Sequence, residues 1–210
     1  MKSFKTYLTE EERKGALHMF DVDDTLFHTT AKIGIKNSKT GETVHKLSNK
    51  EFNTHALPAG HHYDFSEFRN SDKFNKESKP IEPMVDKIKK IHQNVKSGKD
   101  SKVILNTARA DFDDKHKFLS TFRNQGIDID DIHIERAGNI PGNEPTSEKK
   151  AQVVRNHLAR KNYKDVSLYD DDKKNLNRLL KMKKEYPDVN FHAFHVQPNG
   201  SVKKLKEKTK

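Results

Sequence analysis

At 210 residues, with 41 Lys+Arg against 31 Asp+Glu, the chain carries a formal charge of +10, a hydrophobic fraction of only 31% and no cysteine. The missing thiols exclude disulfide frameworks, cysteine nucleophiles and thiolate zinc sites. No run of about 18 apolar residues offers a membrane helix, and the opening MKSFKTYLTEEERK lacks the apolar stretch of a secretory signal, so a soluble protein of the cytoplasm is expected.

The length suits one domain with a small accessory element. The positive surplus suits a polyanionic partner such as nucleic acid, and equally a lysine-rich solvated surface.

Ala16-Leu17-His18-Met19-Phe20 reads as a buried strand that stops at the acidic cluster Asp21-Val22-Asp23-Asp24-Thr25. From about His28 to Lys79 the text turns to Gly, Asn, Ser, His and Phe, with a hairpin expected around Lys39-Thr40-Gly41. After Pro83, Met84, Ile88, Ile91 and Val95 recur at helical spacing and Gly98 is a stop signal. Lys102 to Asn106 reads as a strand ending at Thr107-Ala108-Arg109, followed by a helix through Phe118, Leu119 and Phe122.

A strand around Ile132-His133-Ile134 precedes a polar loop from Gly138 to Pro145. Thr146 or Ser147 is the expected cap of the next helix, whose buried side carries Val153, Val154 and Leu158. Val166 to Tyr169 is a strand ending in Asp170-Asp171-Asp172, and a helix with Leu176, Leu179 and Leu180 follows. The last strand lies near Val189 to Val196, and VKKLKEKTK is expected to be a mobile basic tail. Strands alternating with helices imply an α/β fold, a doubly wound parallel sheet.

Ligands of such sheets bind at the carboxyl ends of the strands. Three of those ends carry Asp21/Asp23, Thr107 and Asp170/Asp171. Carboxylates brought together there repel unless a cation or shared proton intervenes, and hard oxygen donors suit magnesium. A lone Asp-x-Asp-x-Thr could equally be a surface turn, and three successive acids could complement a helix N-terminus.

In order along the chain, FDVDDTLF (20–27), ILNTAR (104–109), KAQVVRNHL from Lys150 and LYDDDKKNL (168–176) resemble the four motifs of the haloacid dehalogenase (HAD) superfamily. The resemblance implies a Rossmann-like core and a phosphatase in which Asp21 attacks phosphorus to form an aspartyl-phosphate. Asp23 would then serve as general acid and base. It further implies that Thr107 and Lys150 contact the phosphoryl group, with Arg109 also on the substrate. Mg2+ would be held by Asp170, Asp171, Asp21 and the main-chain carbonyl of Asp23. Lys149 competes with Lys150 for the motif position.

The stretch from Asp21 to Thr107 exceeds what a strand, a turn and a crossover helix require. Residues 28–79 are therefore expected to form a cap between the first two motifs, with 1–27 and 80–200 as the core and 201–210 as the tail. The cap includes Lys32, Lys36, Lys39, Lys46 and Lys50 along with Phe52, His55, His61, His62, Tyr63, Phe65 and Phe68. Cations among aromatics suit a nucleotide or the phosphorylated end of a nucleic acid. The aromatics could instead be the cap's own small core. Residues 16–80 also resemble HAD-type proteins of tailed bacteriophages, which implies action in a host cytoplasm. A binding protein without turnover and a sugar or metabolite phosphatase remain as alternatives.

Overall fold

A computed structural model describes residues 13–52, 54–98 and 100–206. The first part of the core expected at 1–27 thus lies partly outside the described residues, as do the last four positions of the tail. In chain order the elements are β1 (Ala16–Phe20), β2 (Phe27–His28), β3 (Ile33–Asn37), β4 (Thr43–Leu47), α1 (Asn49–Phe52) and β5 (His61–Asp64). Then come α2 (Ser71–Glu77), β6 (Lys79–Pro80), α3 (Glu82–Lys96), β7 (Lys102–Thr107), α4 (Lys115–Arg123) and β8 (His133–Arg136). The chain ends with α5 (Thr146–Arg160), β9 (Asp165–Asp170), α6 (Lys173–Lys181), β10 (Asn190–Val196) and β11 (Val202–Leu205).

Six strands form the central sheet in the order β11-β10-β9-β1-β7-β8, parallel except for the β10–β11 pair. Its middle strands are covered on both faces and read accordingly as short apolar runs. Leu17 and Met19 face a layer built from Val153, Val154 and Leu158 of α5 and Leu176, Leu179 and Leu180 of α6. Phe20 and Leu105 face the opposite layer, with Met84, Val85 and Ile88 of α3 and Phe118 and Phe122 of α4. Phe20 stacks on Tyr169 at 4.5 Å between centroids and Tyr169 on Phe194 at 4.6 Å, which ties three neighbouring strands together just below their carboxyl ends.

Two expectations are corrected. The helix at Thr146 begins after Pro145 with no side-chain cap from Thr146 or Ser147, because Pro145 itself supplies the non-helical entry. The basic tail is not free throughout: Val202 to Leu205 pair antiparallel with Val196 to Ala193 as an edge strand. Lys203 and Lys204 on that edge are the kind of residue that discourages further strand pairing.

Between β2 and β6 the chain leaves the core and returns side by side, with Phe27 opposite Pro80 and His28 opposite Lys79. The excursion holds a second, three-stranded antiparallel sheet, β4-β3-β5. Ile33, Ile35 and Leu47 form its small core, with Phe52, Tyr63 and Phe68 packed against them. The β3–β4 hairpin turns through Gly41 at φ +74°, a conformation glycine adopts without steric cost. Phe74 of α2 belongs instead to the main core beside Phe27, Phe118 and Phe122, so the excursion is anchored to the body of the central sheet by an aromatic cluster.

Candidate active site

The strand order places the carboxyl ends of β9, β1 and β7 side by side, and each ends in a polar group. Asp21 follows β1 directly and its backbone N–H donates to the Tyr169 carbonyl at 2.9 Å, so its place relative to β9 is fixed by the sheet itself. Asp170 ends β9 with its side chain fully buried. Lys150, in the second turn of α5, reaches between them: its Nζ donates to Asp21 Oδ1 at 2.7 Å and to Asp170 Oδ2 at 2.7 Å. Lys149, one residue earlier, is half-buried and makes neither contact.

Asp170 is further held by Asn175 Nδ2, at 3.0 and 3.1 Å from its two oxygens, and by the N–H of Asp172 at 2.8 Å. The carboxylate is therefore fixed by five-residue spacing onto α6 and by its own turn. The three successive acids divide their roles. Asp172 accepts from Lys174 N as the N-cap of α6, while Asp170 and Asp171 turn toward Asp21. One ligand oxygen from each of Asp21, Asp170 and Asp171 lies within 4.8 Å of the others.

Against these three carboxylates the pocket sets a single ammonium. Burial pushes the Asp21 carboxyl up to about 7, with Asp170 and Asp23 adding to the effect and Lys150 opposing it. Asp171 is pushed up to about 9, again by burial first and then by the charges of Asp170 and Asp21. Burial works against the charge on Lys150 as well, yet Asp170 and Asp21 overcome it and hold the ammonium above the ordinary lysine range. The excess of negative charge and the all-oxygen donor set fit a hard divalent cation such as Mg2+.

Asp23 stands apart from that cluster. Its two oxygens accept from Arg109 in a bidentate pair, Nε to Oδ2 at 2.9 Å and Nη2 to Oδ1 at 2.7 Å. Arg109 is only 3% exposed and its Nη1 donates to the Phe68 carbonyl at 2.6 Å. The expected substrate contact is therefore a buried partner of Asp23, because its fork is directed at that carboxylate. Thr107, at the end of β7, is fully buried and its hydroxyl oxygen accepts from the Arg109 N–H at 3.2 Å.

Several contributors had no distinct signal in the sequence. His195, at the end of β10, donates from Nε2 to the Asp171 carbonyl at 3.0 Å while Gln197 Nε2 donates to its Nδ1 at 2.7 Å, an arrangement that requires the neutral ring. Asp24 adopts φ +55°, unusual for a side chain other than glycine, and accepts from Asn49 Nδ2 at 2.9 Å, which ties α1 to the loop carrying Asp23. Gly138 is required by close approach: a Cβ there would meet the Ala108 carbonyl oxygen at 2.2 Å, in the loop between Thr107 and Arg109.

The histidines of the excursion do not converge. His55 bonds Tyr63, His61 bonds the Ala59 carbonyl and His62 bonds Ser38. Among the described residues, Asp21, Asp170 and Asp171 are the group with metal-ligating geometry. No described helix is long and apolar enough to cross a membrane.

No protein-family model and no curated protein matches the chain. Among solved structures it is similar to the HAD domain of the effector protein Lem4 from Legionella pneumophila, at 16% identity over 90% of each chain with a TM-score of 0.52. It is similar also to the inactive mutant of that domain, at 16% identity over 90% of this chain and 89% of that one, with a TM-score of 0.50. Likeness at such identity is one of architecture, and the six-stranded, mostly parallel sheet with helices on both faces is a HAD-like fold.

Proposed function

We propose that the chain is a Mg2+-dependent HAD-type phosphomonoesterase that works through an aspartyl-phosphate on Asp21. The observation that carries this reading is the bridge from Lys150 Nζ to Asp21 Oδ1 and Asp170 Oδ2, two carboxylates at the carboxyl ends of β1 and β9 held at one buried ammonium. Lys150 takes Oδ1 of Asp21, leaving Oδ2 for attack on phosphorus. Asp21, Asp170 and Asp171 would hold the cation, with the Asp23 carbonyl as the fourth protein ligand that the motif resemblance implies. When bound, Mg2+ supplies positive charge to the phosphoryl oxygens.

In the first half-reaction Asp21 Oδ2 forms a bond to phosphorus as the bond to the ester oxygen breaks, and Asp23 gives its proton to that departing oxygen. In the second, water attacks the phosphoryl group, Asp23 takes the water's proton, and the Asp21 carboxylate is released with inorganic phosphate. Lys150 balances charge on Asp21 and the phosphoryl group, and the Thr107 hydroxyl donates to a transferring oxygen.

The substrate class we assign is a nucleotide or the phosphorylated end of a nucleic acid, with the excursion from 28 to 79 acting as a cap and a host cytoplasm as the setting. Support comes from the +10 charge, from exposed Lys32, Lys39, Lys46 and Lys50, and from Phe65, which is 48% exposed on the excursion. Phe52 and Tyr63, in contrast, serve the small core of β3, β4 and β5. A phosphate-release screen over nucleotides, 3′- and 5′-phosphorylated oligonucleotides and sugar phosphates, with and without Mg2+, tests the reading. Release confined to sugar phosphates would overturn the substrate class, and no release from any ester would overturn the activity.

A further inference from the structure

The Asp23–Arg109 pair joins the catalytic loop to the excursion, and each link is a named contact. Arg109 follows the end of β7, and its guanidinium lies 4.3 Å from the centre of the Phe74 ring, 5.4 Å from Phe68 and 5.7 Å from Phe118. Phe74 and Phe68 come from the excursion, Phe118 from α4 of the core. The planar fork is thus held in an aromatic box whose walls belong to both parts of the chain. Two of its nitrogens hold Asp23 and a third holds the Phe68 carbonyl.

Phe68 itself is kept in place through Glu67, its neighbour in the short 3-10 helix Ser66–Arg69. Glu67 accepts from Lys46 Nζ of β4 at 2.7 Å, from Lys73 Nζ of α2 at 2.7 Å and from the Lys32 N–H at 3.1 Å. Although desolvation opposes ionisation of Glu67, those bonds hold its carboxyl down at about 2. One carboxylate therefore gathers the segment before β3, strand β4 and helix α2 around the residue whose carbonyl fixes Arg109.

Resting on the phosphatase reading, we propose that Arg109 is a positioning residue that aims the carboxyl of Asp23 at the leaving oxygen, and that the seating of the excursion sets this aim through Phe68. A carboxyl that donates a proton from one oxygen keeps a single acceptor oxygen toward Arg109, so one bond of the fork is exchanged for the bond to the ester oxygen. The remaining Arg109 bond then fixes the side-chain torsion of Asp23 during proton transfer. Lysine at this position has one point-like head in place of the fork and cannot hold Asp23 and Phe68 with the same geometry.

The effect is read by leaving-group dependence, because a proton from Asp23 matters for a basic leaving oxygen and little for an acidic one. Phosphate release by the full chain with Mg2+ is compared for phenyl phosphate and p-nitrophenyl phosphate in the wild type, Arg109→Lys, Glu67→Gln and Asp23→Asn, with melting temperatures recorded for each. Arg109→Lys is expected to lower kcat/KM for phenyl phosphate about tenfold more than for p-nitrophenyl phosphate, a fraction of the full acid's ~10²–10⁴. Added to Asp23→Asn, it should change neither substrate further.

Glu67→Gln, outside the catalytic loops, should show the same tilt at about threefold, and it carries the test if Arg109→Lys fails to fold. Equal losses on both substrates in both single variants, or a full additional loss in the Asp23→Asn background, would overturn the positioning role. Absence of release by the wild type from these two esters and from every ester of the nucleotide, oligonucleotide and sugar-phosphate screen would instead overturn the phosphatase reading, and the role of Arg109 with it.

Discussion

The Lys150 ammonium lies 2.7 Å from Asp21 Oδ1, a buried contact between residues 129 positions apart in the chain. A second carboxylate, Asp170, sits at the same distance. Truncating the ammonium leaves buried carboxylates without their counter-charge, and breaking a buried pair from one side costs about 3–5 kcal/mol. Lys150→Met is therefore expected to lower the denaturant midpoint of the metal-free protein by an amount corresponding to that loss. Lys149→Ala should stay within about 0.5 kcal/mol of the wild type. Equilibrium unfolding of the two variants checks the contrast, and equal effects would contradict the placement of Lys150.

The same charge imbalance gives a signed expectation for metal. Burial first, and then the charges of Asp170 and Asp21, oppose the ionised form of Asp171, so Asp171→Asn removes an acid whose charge the native site resists and should raise the melting temperature of the metal-free protein near neutral pH. It should also reduce the gain from Mg2+, which for the wild type amounts to about 2.7 kcal/mol when the free ion is a hundredfold above its dissociation constant. Thermal melts with EDTA and with a Mg2+ titration read both signs. A wild type indifferent to Mg2+ would contradict the metal assignment.

Away from the site, Glu148 shows how the start of α5 is tied to α6. Arg178 donates to it at 2.5 and 3.1 Å, and this bond first, then Arg155, holds its carboxyl down at about 2 although partial burial opposes the shift. A lowered native value means that the stabilisation is present above the ordinary value of 4.5 and is lost as pH falls toward about 2. The melting-temperature gap between the wild type and Glu148→Gln should be constant above about pH 5 and close below it. A gap that widens on acidification would contradict the pairing.

Gly138 marks the loop that backs Thr107 and Arg109. An alanine Cβ would overlap the Ala108 carbonyl at 2.2 Å, so backbone must move. Gly138→Ala is expected to cost about 1–3 kcal/mol, the range for overpacking, and to lower phosphate release through displacement of Arg109. Denaturation and activity measured on the same preparation separate the two effects.

Much of this was legible because strand ends announce themselves. Apolar runs at Ala16–Phe20 and Asp165–Asp170 stop at acids, and a parallel sheet brings such ends together. Lys150 could be preferred to Lys149 because Val153, Val154 and Leu158 then follow it at the offsets usual for the motif that this segment resembles. The Asp23–Arg109 fork was not legible, since it depends on side-chain directions at two loops 86 positions apart. Nor was His195, whose contact is with the main chain of Asp171 and leaves no pattern of residue types. Strand β11 was hidden for another reason: Lys203 and Lys204 give it the composition of a solvated tail, and only pairing with β10 makes it a strand.

The most direct test is covalent. The wild type with Mg2+ is acid-quenched during turnover of p-nitrophenyl phosphate and its peptides are analysed for a hydroxylamine-sensitive phosphoryl group, alongside Asp21→Asn under identical conditions. The expected result is a label on Asp21 in the wild type, with neither label nor phosphate release in Asp21→Asn. Phosphate release that persists at the wild-type rate in Asp21→Asn would contradict Asp21 as the nucleophile.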